Sequence, residues 1–124
     1  MYPSTATTVA FAMPGGEAST TVRVRPIDMV HLARQTMGDR ALEQEVLGLF
    51  LQQAVQTRDY ILHADHAECR KLAHGLKGSA RSVGAFSLAE CVEQIEEDPS
   101  NKAARRKLSR LVDEVRDFIS AIGR

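Results

Sequence analysis

The stretch Ala73–Ala85, which reads AHGLKGSARSVGA, decides how this chain of 124 residues folds. On a helix with about 100° between successive residues, its apolar residues and those just before it share one face. This predicted core face consists of Cys69, Leu72, Ala73, Leu76, Ala80 and Val83. An apolar stripe of this kind is typical of an amphipathic helix that packs against other helices.

His74 lies outside the core face, at about 140° around the helix from Cys69. Its predicted neighbours on the outer face are three cations and a glycine: Arg70, Lys77, Gly78 and Arg81. Side chains on a helix lean toward its N-terminus, so we expect Lys77 to reach toward the imidazole and Gly78 to leave the space over it open. An interior glycine costs about 1 kcal/mol relative to alanine, and this helix has two, Gly75 and Gly78. The pattern therefore predicts an exposed and accessible histidine.

The segment His74–Ala80, followed by Gly84 and Ala85, resembles the H-x-L-K-G-[SA]-[SA] motif and later glycine of histidine-containing phosphotransfer (HPt) domains. The resemblance extends over about residues 27–122. HPt domains are relay modules of multistep two-component signalling. The resemblance implies a phosphocarrier that accepts a phosphoryl group on His74 from a response-regulator aspartate and passes it to another receiver domain.

The resemblance also implies roles for the neighbouring residues. Lys77 would supply positive charge for the phosphoryl group, and Gly78 would clear the approach to His74. Candidate partner contacts are Arg70, Lys71, Gly75 and Arg81. HPt domains often place a polar residue of the next helix beside the histidine, and either Glu93 or Glu96 fits that position. Ser79 points away from His74 on the helix and is interpreted as a packing residue.

The expected partners are receiver domains and a hybrid histidine kinase, and the receiver would bring Mg²⁺. The chain itself has no P-loop, no glycine-rich nucleotide loop and no acidic metal cluster, so we expect no cofactor of its own and no enzyme activity such as autophosphorylation. Its formal net charge is zero, and its apolar runs are too short to span a bilayer. We therefore expect no nucleic-acid or membrane partner, and a cytoplasmic monomer without a secretory signal. Cys69 and Cys91 both fall at predicted core positions and are interpreted as reduced thiols.

Helix start and stop signals divide the first half of the chain. Asp28 is the predicted N-cap of a short helix that ends at Gly38, with Ile27 packing on Leu32. Asp39 is the predicted cap of a second helix, which ends between residues 57 and 64. Its core face is assigned to residues at helical spacing: Leu42, Val46, Leu49, Phe50 and Ala54.

The second half gives three more helices. Asp65 and Glu68 form a capping-box-like start for the His74 helix, and Gly84 is its predicted end. A fourth helix is predicted over residues 87–97, with Leu88, Cys91, Val92 and Ile95 inward. Asp98 before Pro99 predicts the start of a last helix at that point. Its core face is predicted to contain Leu108, Leu111, Val112, Val115, Phe118, Ile119 and Ile122.

These elements predict an all-α fold: an antiparallel four-helix bundle with an additional short N-terminal helix, over residues 26–124. Residues 1–25 are rich in Thr, Ala, Ser, Gly and Pro, and are predicted to be a flexible tail.

Three other interpretations compete with the phosphocarrier. A helical-bundle adaptor that binds a signalling partner without chemistry would make His74 incidental. The dimerisation domain of a histidine kinase typically has an acidic residue after its histidine and a proline soon after, and neither Gly75 nor Ser79 fits. A metal site at His63, His66 and Cys69 has helical spacing, but Cys69 belongs to the core face, so we expect no metal there.

Overall fold

Residues 25–123 are described by a computed structural model, and they contain five helices. In chain order these are α1 (Met29–Gln35), α2 (Arg40–Ile61), α3 (His66–Val83), α4 (Phe86–Glu97) and α5 (Lys102–Ile122). No strand occurs between residues 25 and 123, and the predicted all-α class is confirmed. The tail predicted for residues 1–25 lies, except for Arg25, outside the described residues.

Helices α2 to α5 form the bundle. α3 packs between α2 and α4, and α5 closes the ring by packing against α4 and α2. Successive helices are joined by short connections and lie side by side, so they run antiparallel. α1 packs on the C-terminal end of α3, where the Asp28 amide donates a 2.9 Å hydrogen bond to the Gly84 carbonyl. The predicted bundle with a short additional helix is therefore confirmed.

The caps of the first three helices are those that the sequence indicates. Asp28 accepts hydrogen bonds from the first-turn amides of α1, and Asp39 and Asp65 do the same for α2 and α3. α3 ends at Gly84, whose φ of 91° lies in the left-handed region that glycine tolerates. α4 begins at Phe86, one residue earlier than predicted and without a side-chain cap.

The predicted start of the last helix is wrong. Asn101 caps α5 by accepting a 3.0 Å hydrogen bond from the Ala104 amide. Asp98 instead ends α4, and its carboxylate accepts hydrogen bonds from the hydroxyl and the amide of Ser100. These bonds lower the pKa of Asp98. Pro99 is buried in the turn between the two helices. An aspartate before a proline is also a turn signal, and Asn101 has the better position for capping.

The core face of α2 is rotated by about one residue from the predicted one. Its buried residues are Glu43, Leu47, Phe50, Ala54, Thr57 and Ile61. Phe50 and Ala54 are as predicted, Val46 is half-buried, and Leu42 and Leu49 are 39% and 63% exposed. Apolar residues occur all around α2, so their spacing does not select one face, and packing against α3 and α5 does.

The core faces of α3 and α5 match the prediction more closely. In α3 all predicted core residues are buried except Leu72, which is half-buried. In α5 the predicted core residues up to Val115 are buried, and the three predicted core residues beyond it are partly buried at the end of the bundle.

Both cysteines are free thiols covered by α5. Cys91 is 1% exposed and donates a 3.2 Å hydrogen bond from its thiol to the carbonyl of Ala104. Burial raises the pKa of the Cys91 thiol. Cys69 is fully buried, and a guanidinium nitrogen of Arg105 lies 3.8 Å from its sulfur. The prediction of two buried core cysteines is confirmed.

Candidate functional site

His74 lies in the middle of α3 on the side opposite the core face. Its side chain is 70% exposed, whereas Ala73 and Leu76 beside it are fully buried. The predicted exposure is therefore confirmed. The amphipathic pattern alone produces it, because burying the core face turns His74 toward solvent.

A carboxylate from the last turn of α4 contacts the ring. The Nδ1 atom of His74 lies 2.8 Å from Oε2 of Glu96. The other carboxylate oxygen, Oε1, accepts a 2.6 Å hydrogen bond from Nζ of Lys77. Glu93, one turn earlier, pairs instead with Arg81 at 3.3 Å. Of the two glutamates that the sequence left open, Glu96 is the one beside His74.

The carboxylate determines which ring nitrogen carries the proton. An ionised carboxylate only accepts hydrogen bonds, so the contact requires an N–H on Nδ1. In the neutral imidazole the lone pair is then on Nε2. The hydrogen bonds from Lys77 and His74 lower the pKa of Glu96, which favours its ionised form. The arrangement thus presents Nε2 of His74 as a nucleophile.

Lys77 and His74 both bind the carboxylate of Glu96. The sequence predicted that its ammonium would reach toward the imidazole, and the structure places it on the glutamate that holds the imidazole. The side chains of Lys77 and Glu96 are only 15% and 25% exposed. The ion pair is therefore partly shielded from solvent, which makes its charges less screened than those of an exposed pair.

The outer face around His74 is open. A Cβ atom built on Gly75 or on Gly78 would meet no other atom within 4 Å. Arg70, Lys71 and Arg81, the candidate partner contacts, are all exposed on the same helix. These residues are exposed on α3 as the sequence suggested, while their roles stay predictions.

Sequence reasoning missed an apolar groove between α2 and α3. It is lined by Val46, Leu49, Phe50, Ser79, Ser82 and Val83. Leu49 is 63% exposed, and Ser79 is half-buried with its hydroxyl 3.3 Å from the carbonyl of Gly75. The sequence does contain an indication of this groove. α2 has more apolar residues than one core face can bury, so some of them have to lie outside that face.

The other histidines have different surroundings. His31 of α1 places Nε2 3.1 Å from the carbonyl of Ser82 and packs against the ring of Phe86. His63 is exposed before α3 and His66 is exposed as its first residue, while Cys69 is buried in the core. Within residues 25–123, no three His, Cys, Asp or Glu side chains are grouped so that they could hold a metal ion.

The fold and site define a class: a helical bundle that presents one carboxylate-bound histidine to solvent. A family model described as the Hpt domain matches residues 39–123, from the cap of α2 to the end of α5. The chain therefore belongs to the HPt domain family, whose members are phosphocarriers that interact with receiver domains and kinases in phosphorelays. α1 lies before the matched range. No curated protein and no solved structure matches the chain. None of the helices that the structure describes has a stretch long and apolar enough to cross a bilayer.

Proposed function

We propose that this chain accepts a phosphoryl group on Nε2 of His74 from the aspartyl phosphate of one receiver domain and passes it to the aspartate of another. The observation that carries the proposal is the pairing of Nδ1 with Glu96 at 2.8 Å on a ring that is 70% exposed. One nitrogen is held by the protein, and the other is free to react.

Exposure suits this reaction because the phosphoryl group is held by the partner. A receiver domain keeps its aspartyl phosphate in its own site, so the attacking nitrogen has to enter that site. A ring fixed on the outside of a rigid helix supplies the position and the orientation that phosphoryl transfer needs. In its neutral form the imidazole has a free lone pair on Nε2, which makes it a competent nucleophile.

Positive charge around the ring supports the same proposal. Lys77 lies one glutamate away from His74, and Arg70, Lys71 and Arg81 are exposed on the same helix. Cations near a transferring phosphoryl group stabilise the charge on its oxygens. We propose that these residues act together with Mg²⁺ brought by the receiver.

The open glycines and the apolar groove favour a protein partner. Gly75 and Gly78 let another surface approach the backbone of α3 closely. Leu49 offers exposed apolar area beside α3, and such area is typical of a docking surface. We propose receiver domains, including that of a hybrid histidine kinase, as occupants of this face. Since both described thiols are free, we place the exchange in the cytoplasm.

The test is transfer from a panel of receiver domains that carry ³²P on their aspartates. We expect rapid labelling of the chain by at least one receiver, with a phosphate that is labile in acid and stable in alkali. His74→Gln should abolish the labelling while the helical circular dichroism stays unchanged. His66→Gln removes another exposed histidine from α3, so it is the matched control and should be labelled as fast as wild type.

Two outcomes would contradict the proposal. Labelling of the His74→Gln protein would show that another residue accepts the phosphoryl group. Stable binding of receivers without any labelling would favour a non-catalytic adaptor. We expect no labelling from ATP alone, because the sequence has no nucleotide-binding loop.

A further inference from the structure

We propose that Glu96 keeps the proton on Nδ1 of His74 through the whole phosphorylation cycle, so that the phosphohistidine stays ready to give up its phosphoryl group at and above neutral pH. The inference rests on the proposed role of His74. It assigns Glu96 as a positioning residue for the release of the phosphoryl group as well as for its acceptance.

The geometry puts the carboxylate on the nitrogen that does not react. Oε2 of Glu96 is 2.8 Å from Nδ1, and the side chain of Glu96 is three-quarters buried against α3. Its other oxygen is bound to Lys77 at 2.6 Å. The carboxylate is thus anchored at one oxygen and acts on the imidazole with the other. A short contact of this kind favours the protonated form of the group that donates to it.

The acceptance step then requires no proton transfer on the ring. The lone pair of Nε2 attacks the phosphorus atom of the aspartyl phosphate, and a bond forms between Nε2 and phosphorus. The bond between phosphorus and the aspartate oxygen breaks, and its electron pair returns the aspartate to a carboxylate. The ring keeps the Nδ1 proton and becomes positively charged, beside the negative charge of Glu96.

The release step is the reverse process toward a second aspartate. The bond between Nε2 and phosphorus breaks, and its electron pair returns to Nε2 while the second carboxylate bonds to phosphorus. Because Nδ1 is protonated, the leaving group is a neutral imidazole. If Nδ1 had lost its proton, the leaving group would be an imidazolate anion, which is a much poorer leaving group. Release therefore depends on retaining this proton.

The surrounding charges allow Glu96 to have this effect. On α3, the cations nearest to His74 in sequence are Lys71, Lys77 and Arg70. Arg81, two turns further along, is paired with Glu93 of α4. In the part of the chain that the structure describes, α1, α2 and α5 place no charged group in hydrogen-bond or ion-pair contact with His74. Lys77 bonds to Glu96 and not to the ring, so it keeps the carboxylate ionised. Glu96 is the one negative group in contact with the imidazole among these residues.

The experiment loads phosphate chemically and so does not depend on a relay partner. The intact protein is phosphorylated with potassium phosphoramidate, and the loss of phosphohistidine to water is followed by ³¹P NMR between pH 6 and pH 10. Phosphoramidate also labels other histidines, so the resonance that His74→Gln lacks is assigned to His74. The rate of loss should fall with rising pH as Nδ1 gives up its proton, and the inflection reports the proton affinity of the phosphorylated ring.

Glu96→Gln keeps an oxygen that can accept from Nδ1 and removes the charge. We expect its inflection to lie about half a pH unit to one pH unit below that of wild type, as for loss of a partly exposed ionic partner. Glu93→Gln is the matched control, because it removes a carboxylate from the same helix without touching the ring. Its inflection should stay close to that of wild type. In wild type itself, ¹⁵N NMR of the phosphorylated ring at pH 8 should show a protonated Nδ1.

Equal inflections for wild type and Glu96→Gln would overturn the inference, as would an equal shift in Glu93→Gln. So would a deprotonated Nδ1 in wild type at pH 8. None of these results depends on receivers. Failure of every phosphorylated receiver to label wild type would instead contradict the proposed function, whatever the inflections show.

Discussion

Two parts of α3 contain glycine for opposite reasons. In the middle of the helix, a Cβ atom on Gly75 or Gly78 would meet nothing within 4 Å. At the end, Gly84 has a φ of 91°, and a Cβ atom there would lie 2.8 Å from the carbonyl oxygen of Asp28. The bundle has no steric need for the first two glycines, whereas it cannot accept a side chain at the third.

The fold therefore requires glycine at position 84, but it does not require glycine at positions 75 and 78. Gly84 allows α1 to dock on α3, through the hydrogen bond from the Asp28 amide to the Gly84 carbonyl. Gly75 and Gly78 lower helix stability and are open to solvent, and we propose that they serve the partner that approaches His74. Substitutions at the two places should therefore affect different properties.

The largest effect on stability is expected at the end of α3. Gly84→Ala should lower the free energy of unfolding by about 2–4 kcal/mol, through left-handed backbone strain and the clash with Asp28. Urea denaturation measures the loss. Phosphotransfer per folded molecule should stay near the wild-type rate, because His74 is far along the helix. A Gly84→Ala protein as stable as wild type would contradict this account of the end of α3.

In the middle of α3, replacing a glycine should raise the free energy of unfolding instead of lowering it. Gly78→Ala should raise the free energy of unfolding by about 0.8–1 kcal/mol, because alanine favours the helix and the methyl group meets no other atom. Transfer from a phosphorylated receiver should become slower, and slower still in Gly78→Leu.

Gly48→Ala is the control for Gly78. Gly48 is an interior glycine of α2 that is also open, so the same change there tests the gain in helix stability away from His74. A Gly78→Leu protein that accepts phosphate at the wild-type rate would remove the support for a partner surface at this position.

Lys77 should affect rate more than stability. Lys77→Ala should slow transfer, because it removes the cation that anchors Glu96. It should lower the free energy of unfolding by about 1 kcal/mol, the upper end for a surface ion pair, because this pair is partly shielded from solvent. Stopped-flow transfer and thermal melting measure the two effects. Lys102→Ala removes an exposed lysine at the start of α5 and should change neither. Equal transfer rates in wild type and Lys77→Ala would show that its charge has no part in the reaction.

The smallest effect is a pH dependence of stability from Glu96. Because Lys77 and His74 lower its pKa in the folded state, the ionised carboxylate stabilises the fold above the unfolded value of about 4.3. That contribution is lost as pH falls through the lowered pKa. The difference in unfolding free energy between wild type and Glu96→Gln should therefore shrink below about pH 4. A difference that grows on acidification would contradict the sign.

The sequence predicts α3 well because its two faces differ sharply in polarity. The core face, the exposure of His74, the cap at Asp65 and the end at Gly84 all follow from local rules, and all are confirmed. α2 lacks this contrast, so its apolar residues did not reveal that Leu49 faces outward or that Glu43 is buried. The buried Glu43 lies 3.4 Å from the hydroxyl of Thr36, a contact between elements that periodicity cannot predict.

The sequence predicts which residues of α3 belong to the candidate site. It does not predict which residue of α4 packs beside them. Glu93 and Glu96 are three residues apart and lie on one side of their helix, so either could meet α3. The packing of α4 on α3 determines which carboxylate reaches His74. The ion pair of Lys77 could not be predicted for the same reason, because its partner Glu96 belongs to another helix.

The two thiols are buried next to α5, so their reactivity can report on local opening of the bundle. Cys69 and Cys91 contact Arg105 and Ala104, which are neighbours in the first turn of α5. An alkylating reagent can reach either sulfur only when the structure around it opens, because reaction requires an accessible thiolate. The rate of alkylation in native buffer therefore reports how readily the bundle opens around the two cysteines. Comparing that rate with and without phosphate on His74 would show whether loading the carrier tightens its core.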